Sequence, residues 1–101
     1  MIKRELSRRK LESVARVLRT ISHPVRLKVL EILETEESLD VGTLCRELGM
    51  ECEISMMSHH LAKMKDNRIL VSEKKGKQVY YSIVDRKLLD LFDCMERCEL
   101  F

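Results

Sequence analysis

The chain has 101 residues, of which 19 are Lys or Arg and 17 are Asp or Glu, so its formal net charge is only +2. A chain of this length supports one folded domain, and the balance of charges excludes a polycationic tail. No apolar run reaches the roughly 18 to 20 residues that span a bilayer, and the N-terminal residues lack the apolar segment of a signal peptide. We therefore expect one cytoplasmic domain over residues 1–101, without a membrane partner, whose four cysteines are reduced thiols.

Helical periodicity marks the beginning of the chain. Apolar residues recur at steps of three or four over residues 3–20, which predicts an amphipathic first helix. The proline at position 24 ends this pattern and suits the first turn of a second helix, because a proline lacks the N–H group that is unpaired there. Ser22 or His23 is then the residue that caps the second helix.

Two further helices are predicted over residues 40–67. Asp40 is a favourable N-cap for the third helix, because its carboxylate can accept hydrogen bonds from unpaired backbone N–H groups. Gly49 is expected to end that helix in a left-handed turn. The fourth helix covers about residues 54–67, and its apolar stripe consists of Met57, Leu61 and Met64.

After the fourth helix the apolar period changes from 3.6 to 2 residues. Residues 69–74 and 79–83 are predicted strands rich in Val, Ile and Tyr, and the segment between them holds Gly76 and several basic residues. A final helix is expected over residues 85–101. The predicted fold is therefore mainly α with a small β-hairpin, in the order of four helices, two strands and one helix.

The basic residues are unevenly distributed. Residues 63–77 hold six basic and two acidic residues, a local charge of +4, whereas the segments on either side are acidic or uncharged. Such a segment is typical of a face that binds a polyanion, although it also fits a solvated lysine-rich hairpin.

Two helices joined by a short turn and followed by a basic hairpin have the order of a winged helix-turn-helix. The major groove of DNA admits one helix, and a hairpin can lie along the phosphate backbone. The second of these two helices is therefore the candidate recognition helix. The candidate DNA-contacting residues are Ser55, Met56, Ser58, His59 and Lys63 on this helix, and Lys75, Lys77 and Gln78 on the hairpin.

At these residues the sequence resembles the ArsR/SmtB family of winged helix-turn-helix transcriptional repressors. The matching segments are SHPVRLKVL at 22–30, VGTLCRELG at 41–49, SHHLAKM at 58–64 and GKQVYYSI at 76–83. The resemblance implies a homodimer formed through residues 1–20 and 85–101, a helix-turn-helix over 40–67 and a wing over 69–84. It also implies that double-stranded operator DNA is the partner and that an effector releases it. Through the family motif at Ser58, His59 and His60, it adds His60 to the candidate DNA contacts.

The sequence departs from the family pattern at two places. The turn between the third and fourth helices is two residues longer than is usual in the family, because Met50, Glu51, Cys52 and Glu53 all stand between the helices. Where the family usually has a glycine after the recognition helix, this chain has Asn67 and Arg68, and we expect Asn67 to take the left-handed conformation.

The four cysteines are candidates for sensing, because soft metals and metalloids prefer sulfur. Cys94 and Cys98 lie four residues apart on the final helix, and three roles remain open for them: binding of As(III) or a soft divalent metal, redox chemistry, or packing in a dimer interface. A zinc site is not expected there, since the final helix has no histidine. Cys45 is expected to be a small buried residue where two helices touch, and Cys52 to be the most exposed thiol.

The sequence thus favours a DNA-binding repressor that is released by a thiol-directed effector, either a soft metal or metalloid ion or an oxidant or reactive sulfur compound. Two alternatives are a winged-helix regulator without such an effector and a winged-helix module that binds protein. No enzyme is predicted, because no set of nucleophile, base and orienting group and no phosphate-binding loop is present in the sequence.

Overall fold

The computed structural model describes residues 3–49 and 52–101, and it has the predicted order of elements with one added strand. The helices are α1 (Arg8–Ile21), α2 (Pro24–Thr35), α3 (Val41–Glu47), α4 (Ile54–Asp66) and α5 (Asp90–Arg97), and the strands are β1 (Leu39–Asp40), β2 (Leu70–Lys75) and β3 (Gln78–Ile83). A short 3-10 helix, Arg86–Leu89, precedes α5. The winged helix-turn-helix fold is confirmed.

Side-chain caps explain where the first three helices begin. The hydroxyl of Ser7 accepts from the backbone N–H of Lys10, so α1 begins at Arg8 rather than at residue 3. Nδ1 of His23 accepts from the backbone N–H of Val25, so His23, and not the alternative Ser22, caps α2. Asp40 caps α3 as predicted.

The Asp40 carboxylate is held by two hydrogen bonds from one residue. It accepts from the hydroxyl of Thr43 at 2.6 Å and from the backbone N–H of Thr43 at 3.3 Å. The side-chain hydrogen bond from Thr43 is the largest cause that lowers the pKa of Asp40 below its ordinary value of 3.8. The start of the helix-turn-helix is therefore fixed by a carboxylate that is ionised at neutral pH.

The three strands form an antiparallel sheet in the order β1-β3-β2. The hairpin pairs Leu70 with Ile83 at its base and Lys75 with Gln78 at its tip. Gly76 is the first of the two turn residues and has a φ of +63°, the conformation that a type II′ turn requires at this position. The sequence did not predict β1, which has two residues and pairs with Tyr80 and Tyr81 of β3.

The core lies where α2, α3 and α4 meet the base of the sheet. Its fully buried side chains are Val29, Leu30, Leu33, Leu44, Met57, Leu61, Met64 and Leu70. The predicted stripe of α4 is therefore entirely inside, and the opposite face of that helix is left to solvent.

The end of α4 corrects one prediction. Asn67 has a φ of −97°, whereas Arg68 has a φ of +59° and takes the left-handed position. The backbone N–H of Ile69 then donates to Met64 O at 2.9 Å and that of Arg68 to Lys65 O at 2.9 Å. These two bonds form a Schellman motif, in which the left-handed residue is the second one after the helix.

The final helix is shorter than predicted. The chain from residue 85 first forms the 3-10 turn, because Asp85 accepts from the backbone N–H of Lys87, and α5 then ends at Arg97. Within the described residues no helix combines the length and the apolar character that are needed to cross a membrane.

Candidate nucleic-acid interface

The helix-turn-helix consists of α3 and α4, which pack against each other. Gly49 follows α3 with a φ of +76°, so it takes the predicted left-handed turn. α4 begins at Ile54 and also contacts α2 and β2. The predicted longer turn falls partly on residues 50 and 51, which lie outside the described residues.

The outward face of α4 carries most of the predicted contact residues. Ser55, His59 and Lys63 are exposed, and Ser58 is half-buried beside them. Met56 is 52% exposed and Ile54 is 55% exposed, so two large apolar side chains also reach solvent at the start of the helix. This combination can contact phosphates, base edges and the thymine methyl group.

His60 does not share this face. It is only 6% exposed, and its Nδ1 accepts from Nε of Arg26 at 3.1 Å. Burial is the largest cause that lowers the pKa of His60 below its ordinary value of 6.5, followed by the charges of His23, Arg26 and His59. The prediction that His60 contacts DNA does not agree with this buried position, so His60 is not among the proposed contacts. The centroid of its ring instead lies 4.5 Å from that of the His23 ring, and the two ring planes are tilted by 57°.

The hairpin presents a basic tip. Lys74, Lys75, Lys77 and Gln78 are all exposed. The Nζ of Lys75 lies 5.5 Å from the ring centroid of Tyr80, which orients this lysine by a cation–π contact. The last turn of α4 holds two further lysines, Lys63 and Lys65, before the chain enters the hairpin.

The cysteines are not all reduced, which corrects the prediction. Cys45 and Cys52 are joined by a disulfide with a Cα–Cα distance of 5.6 Å. Cys45 is buried as predicted, but Cys52 is half-buried rather than the most exposed cysteine. Cys94 is exposed and Cys98 is half-buried, and both are free thiols.

Cys94 and Cys98 are close along the backbone, since the N–H of Cys98 donates to Cys94 O at 2.8 Å. Across residues 3–49 and 52–101, however, the His, Cys, Asp and Glu side chains form no group of three that could hold a metal ion. A soft ion bound by these two thiols would therefore need a further ligand from outside the described chain.

A groove between α1 and the last two helical elements is open to solvent. It has a volume of about 590 Å³, and its apolar lining includes Val14, Val17, Leu18, Leu88 and Leu91. The Cα radius of gyration is 14.9 Å, against about 13 Å for a compact domain of 100 residues, so the molecule is elongated.

Two contacts at the site, the hydrogen bonds of Arg26 and the Cys45–Cys52 disulfide, could not be predicted from the sequence. Arg26 donates to His60, which is 34 positions away, and to Thr20 O at 2.9 Å. The bond between Cys45 and Cys52 spans a turn of unusual length. A buried histidine beside an exposed one can be recognised only from the position of the apolar stripe, which places His60 next to Met57 and Leu61.

Several known proteins are similar to this chain in sequence and in fold. No model of a known protein family matches the chain. The transcriptional repressor PagR of Bacillus anthracis is 35% identical over 78 residues, which cover 77% of this chain and 76% of PagR. The cadmium resistance transcriptional regulatory protein CadC homolog of Staphylococcus aureus is 31% identical over 91 residues, which cover 90% of this chain and 74% of that protein.

Solved structures agree with these relatives. The crystal structure of PagR matches with a TM-score of 0.75 at 30% identity and covers 88% of this chain and 99% of its own. The homodimeric winged helix-turn-helix DNA-binding domain Mb0332 of Mycobacterium bovis matches with a TM-score of 0.71 at 25% identity, covering 93% of this chain and 87% of that domain. With the motifs and the fold, these similarities show that the chain belongs to the ArsR/SmtB family of winged helix-turn-helix transcriptional repressors.

Proposed function

We propose that the chain is a homodimeric repressor that binds operator DNA through α4 and the hairpin and responds to a thiol-directed effector. The observation that carries this proposal is the exposed face of α4, where Ser55, His59 and Lys63 lie opposite a fully buried apolar stripe. A helix that buries one face in its own domain and presents short polar and basic groups on the other suits the major groove.

The hairpin supplies phosphate contacts in this proposal. Lys75 and Lys77 are exposed at its tip, and neither has an acidic partner within ion-pair distance in the described part of the chain. Contacts of this kind add affinity that falls steeply with salt and add little sequence selectivity. Selectivity would come from Ser58, His59 and Met56, which can reach base edges.

A second copy of the chain would cover the groove beside α1. Leu11 is 51% exposed and Leu18 is 46% exposed on a helix that has few neighbours of its own. Apolar surface of this kind favours association, at about 25 cal/mol for each Å² removed from water. The homodimeric state of Mb0332 supports the same arrangement. Two recognition helices would then read two half-sites.

The free thiols Cys94 and Cys98 are the candidate contacts for a soft metal or metalloid ion, an oxidant or a reactive sulfur compound. They lie one helical turn apart at the end of α5. The CadC homolog is named for cadmium resistance, and thiolates are the ligands that such soft ions prefer. Because Cys94 also lines the groove beside α1, an effector bound there would act on the dimer interface.

The test of DNA binding is fluorescence anisotropy with the DNA upstream of the chain's own gene, measured over a range of salt concentrations. Replacing both Ser58 and His59 by alanine should weaken binding at least about tenfold, since each contact to a base edge is worth about 1–3 kcal/mol. Lys28→Gln is the control, because this lysine lies on α2 and pairs with Glu31. Failure of the unmodified protein to bind at low salt would refute the proposal.

Two further measurements test the proposed dimer interface and the proposed effector site. Sedimentation should show two chains for the unmodified protein and one for Leu18→Glu, while Val71→Glu, an equally exposed position on β2, should leave the dimer intact. Arsenite, Cd²⁺, Zn²⁺, tetrasulfide and peroxide should then be added in turn to the DNA complex. If none changes binding, or if each acts equally on a protein with Cys94→Ser and Cys98→Ser, these thiols are not the effector site.

A further inference from the structure

The disulfide between Cys45 and Cys52 links α3 to the turn that precedes α4. Cys45 lies in α3 and is 8% exposed within the core. Cys52 stands two residues before Ile54, where α4 begins. Their Cα atoms are 5.6 Å apart, inside the range of about 4.4–6.8 Å that a disulfide requires. The backbone separation of the two residues therefore suits a disulfide.

The two sulfurs differ in access. Cys52 lines a cavity of about 600 Å³ at the start of α4, together with His23, Met56 and His60. Cys45 is not part of the lining, because it faces the core behind Cys52. A small molecule that enters this cavity meets the sulfur of Cys52 first. The volume is within the range of about 300–1,000 Å³ that is typical of small-molecule sites.

We propose that Cys45 and Cys52 are a thiol–disulfide exchange pair, in which Cys52 reacts with low-molecular-weight disulfides and thiols, and that the closed disulfide strengthens operator binding. The inference rests on the proposed function and adds to it a chemical class of effector and a site. It also differs from an oxidant acting on Cys94 and Cys98, because here a small thiol is the agent that weakens binding.

Closure of the disulfide takes two exchange steps. The Cys52 thiolate attacks one sulfur of a small disulfide, the bond between the two small-molecule sulfurs breaks, and one small thiolate leaves and takes up a proton. The Cys45 thiolate then attacks the Cys52 sulfur, the mixed disulfide breaks, and the second small thiolate leaves. The two cysteines lose two electrons, and the small disulfide gains them as it becomes two thiols. Excess small thiol reverses both steps.

Whether the Cys45–Cys52 disulfide is open or closed affects DNA binding through the first turn of α4. Glu53 precedes this helix and makes no side-chain capping bond, so the first turn lacks the support that α1, α2 and α3 receive from their caps. The disulfide attaches Cys52 to the core through Cys45 and so holds this turn in place. Ile54, Ser55 and Met56 follow immediately and are exposed toward the proposed DNA. Opening the disulfide frees the chain on which their position depends.

The experiment compares the full chain after treatment with glutathione disulfide and after treatment with excess glutathione. Peptide mapping after alkylation should give a Cys45–Cys52 disulfide in the first sample and two alkylated cysteines in the second. Anisotropy with the upstream DNA should show about tenfold tighter binding for the oxidised sample, since an ordered recognition helix increases the fraction of binding-competent protein. This comparison needs no variant, so it does not depend on whether a variant folds.

Single variants then assign the two roles. With glutathione disulfide, Cys45→Ala should keep one glutathionyl group on Cys52, whereas Cys52→Ala should take up none on Cys45. Cys52→Ala should bind DNA equally in the two treatments, and Cys45→Ala should not show the tighter binding after oxidation. The matched control, with Cys94→Ser and Cys98→Ser, should keep the tenfold difference.

Three results would overturn the inference: equal DNA affinity of the oxidised and reduced protein, a glutathionyl group that persists on Cys52 of the unmodified chain, or adduct formation at Cys45 in Cys52→Ala. A protein that binds no DNA in either state would refute the proposed function instead. The mapping of adducts would still decide the exchange chemistry in that case.

Discussion

Replacing Cys52 by serine opens the disulfide while leaving the buried Cys45 in the core, and we expect it to lower the free energy of unfolding by about 2.5 kcal/mol. The disulfide closes a ring with a sequence separation of seven residues. The loop-closure relation, applied to the eight residues of this ring, gives an entropy loss of about 8 cal/mol/K in the unfolded chain. At 298 K this entropy corresponds to the stated free energy.

Urea-induced unfolding, followed by circular dichroism at one fixed protein concentration, measures this difference. The unmodified protein should lose the same free energy when a reductant is added, whereas Cys52→Ser should not change. If the reductant lowered the stability of Cys52→Ser as much as that of the unmodified protein, the disulfide ring would not be the source of the difference. A difference below about 0.5 kcal/mol between the two proteins would lead to the same conclusion, since surface substitutions without a structural role stay within that range.

Four other expectations follow from the described contacts. Because the pKa of His60 is lowered in the folded protein, the unfolded protein binds more protons below pH 6.5, so thermal stability should fall as the pH drops from 6.5 toward the lower folded pKa. His60→Gln should reduce that dependence. Asp40→Ala should lower the free energy of unfolding at pH 7 by about 1 kcal/mol. In urea titrations that loss should shrink as the pH falls from 3.8 through the lower folded pKa, where the carboxyl becomes protonated. Arg68→Gly should raise the free energy of unfolding in urea by about 1 kcal/mol. Arg68 has a φ of +59°, a left-handed conformation that is costly for a residue with a Cβ atom and not for glycine. Replacing both Lys75 and Lys77 by glutamine should weaken binding to all DNA sequences alike and reduce the slope of log K against log salt by about 0.9 for each phosphate that the protein no longer neutralises. An unchanged slope would contradict that role.

Helix positions could be predicted well where the signal is local. His23 and Asp40 cap α2 and α3 because each needs only a backbone N–H two or three residues away. The stripe of α4 was equally visible, since Met57, Leu61 and Met64 repeat at helical spacing and all three are buried. The caps and the apolar stripe together predict where the helix-turn-helix lies in the sequence and which face of α4 is turned outward.

Features that depend on distant partners could not be predicted in this way. β1 has two residues, too few for a period of two to show, and it exists because Tyr80 and Tyr81 offer an open strand edge. The left-handed residue after α4 is Arg68 rather than Asn67, since the Schellman bonds at that helix end determine the position, and not the intrinsic preference of the side chain. The disulfide needed the relative position of two helices.

His59 and His60 are neighbours on α4 and have the same side chain, but burial gives them different roles, since His60 is buried and His59 is exposed. Arg26 donates Nη1 to Thr20 O at the end of α1 and Nε to Nδ1 of His60, so one guanidinium joins α1, α2 and α4. Hydrogen bonds from a charged donor contribute about 1.5–3 kcal/mol each. A protonated His60 could not accept this bond, so the lowered pKa of the ring and the bond from Arg26 support the same neutral state. His60 is therefore linked through Arg26 to α2 and to the end of α1, whereas His59, one position earlier, is exposed and is the ring available for the proposed DNA contact.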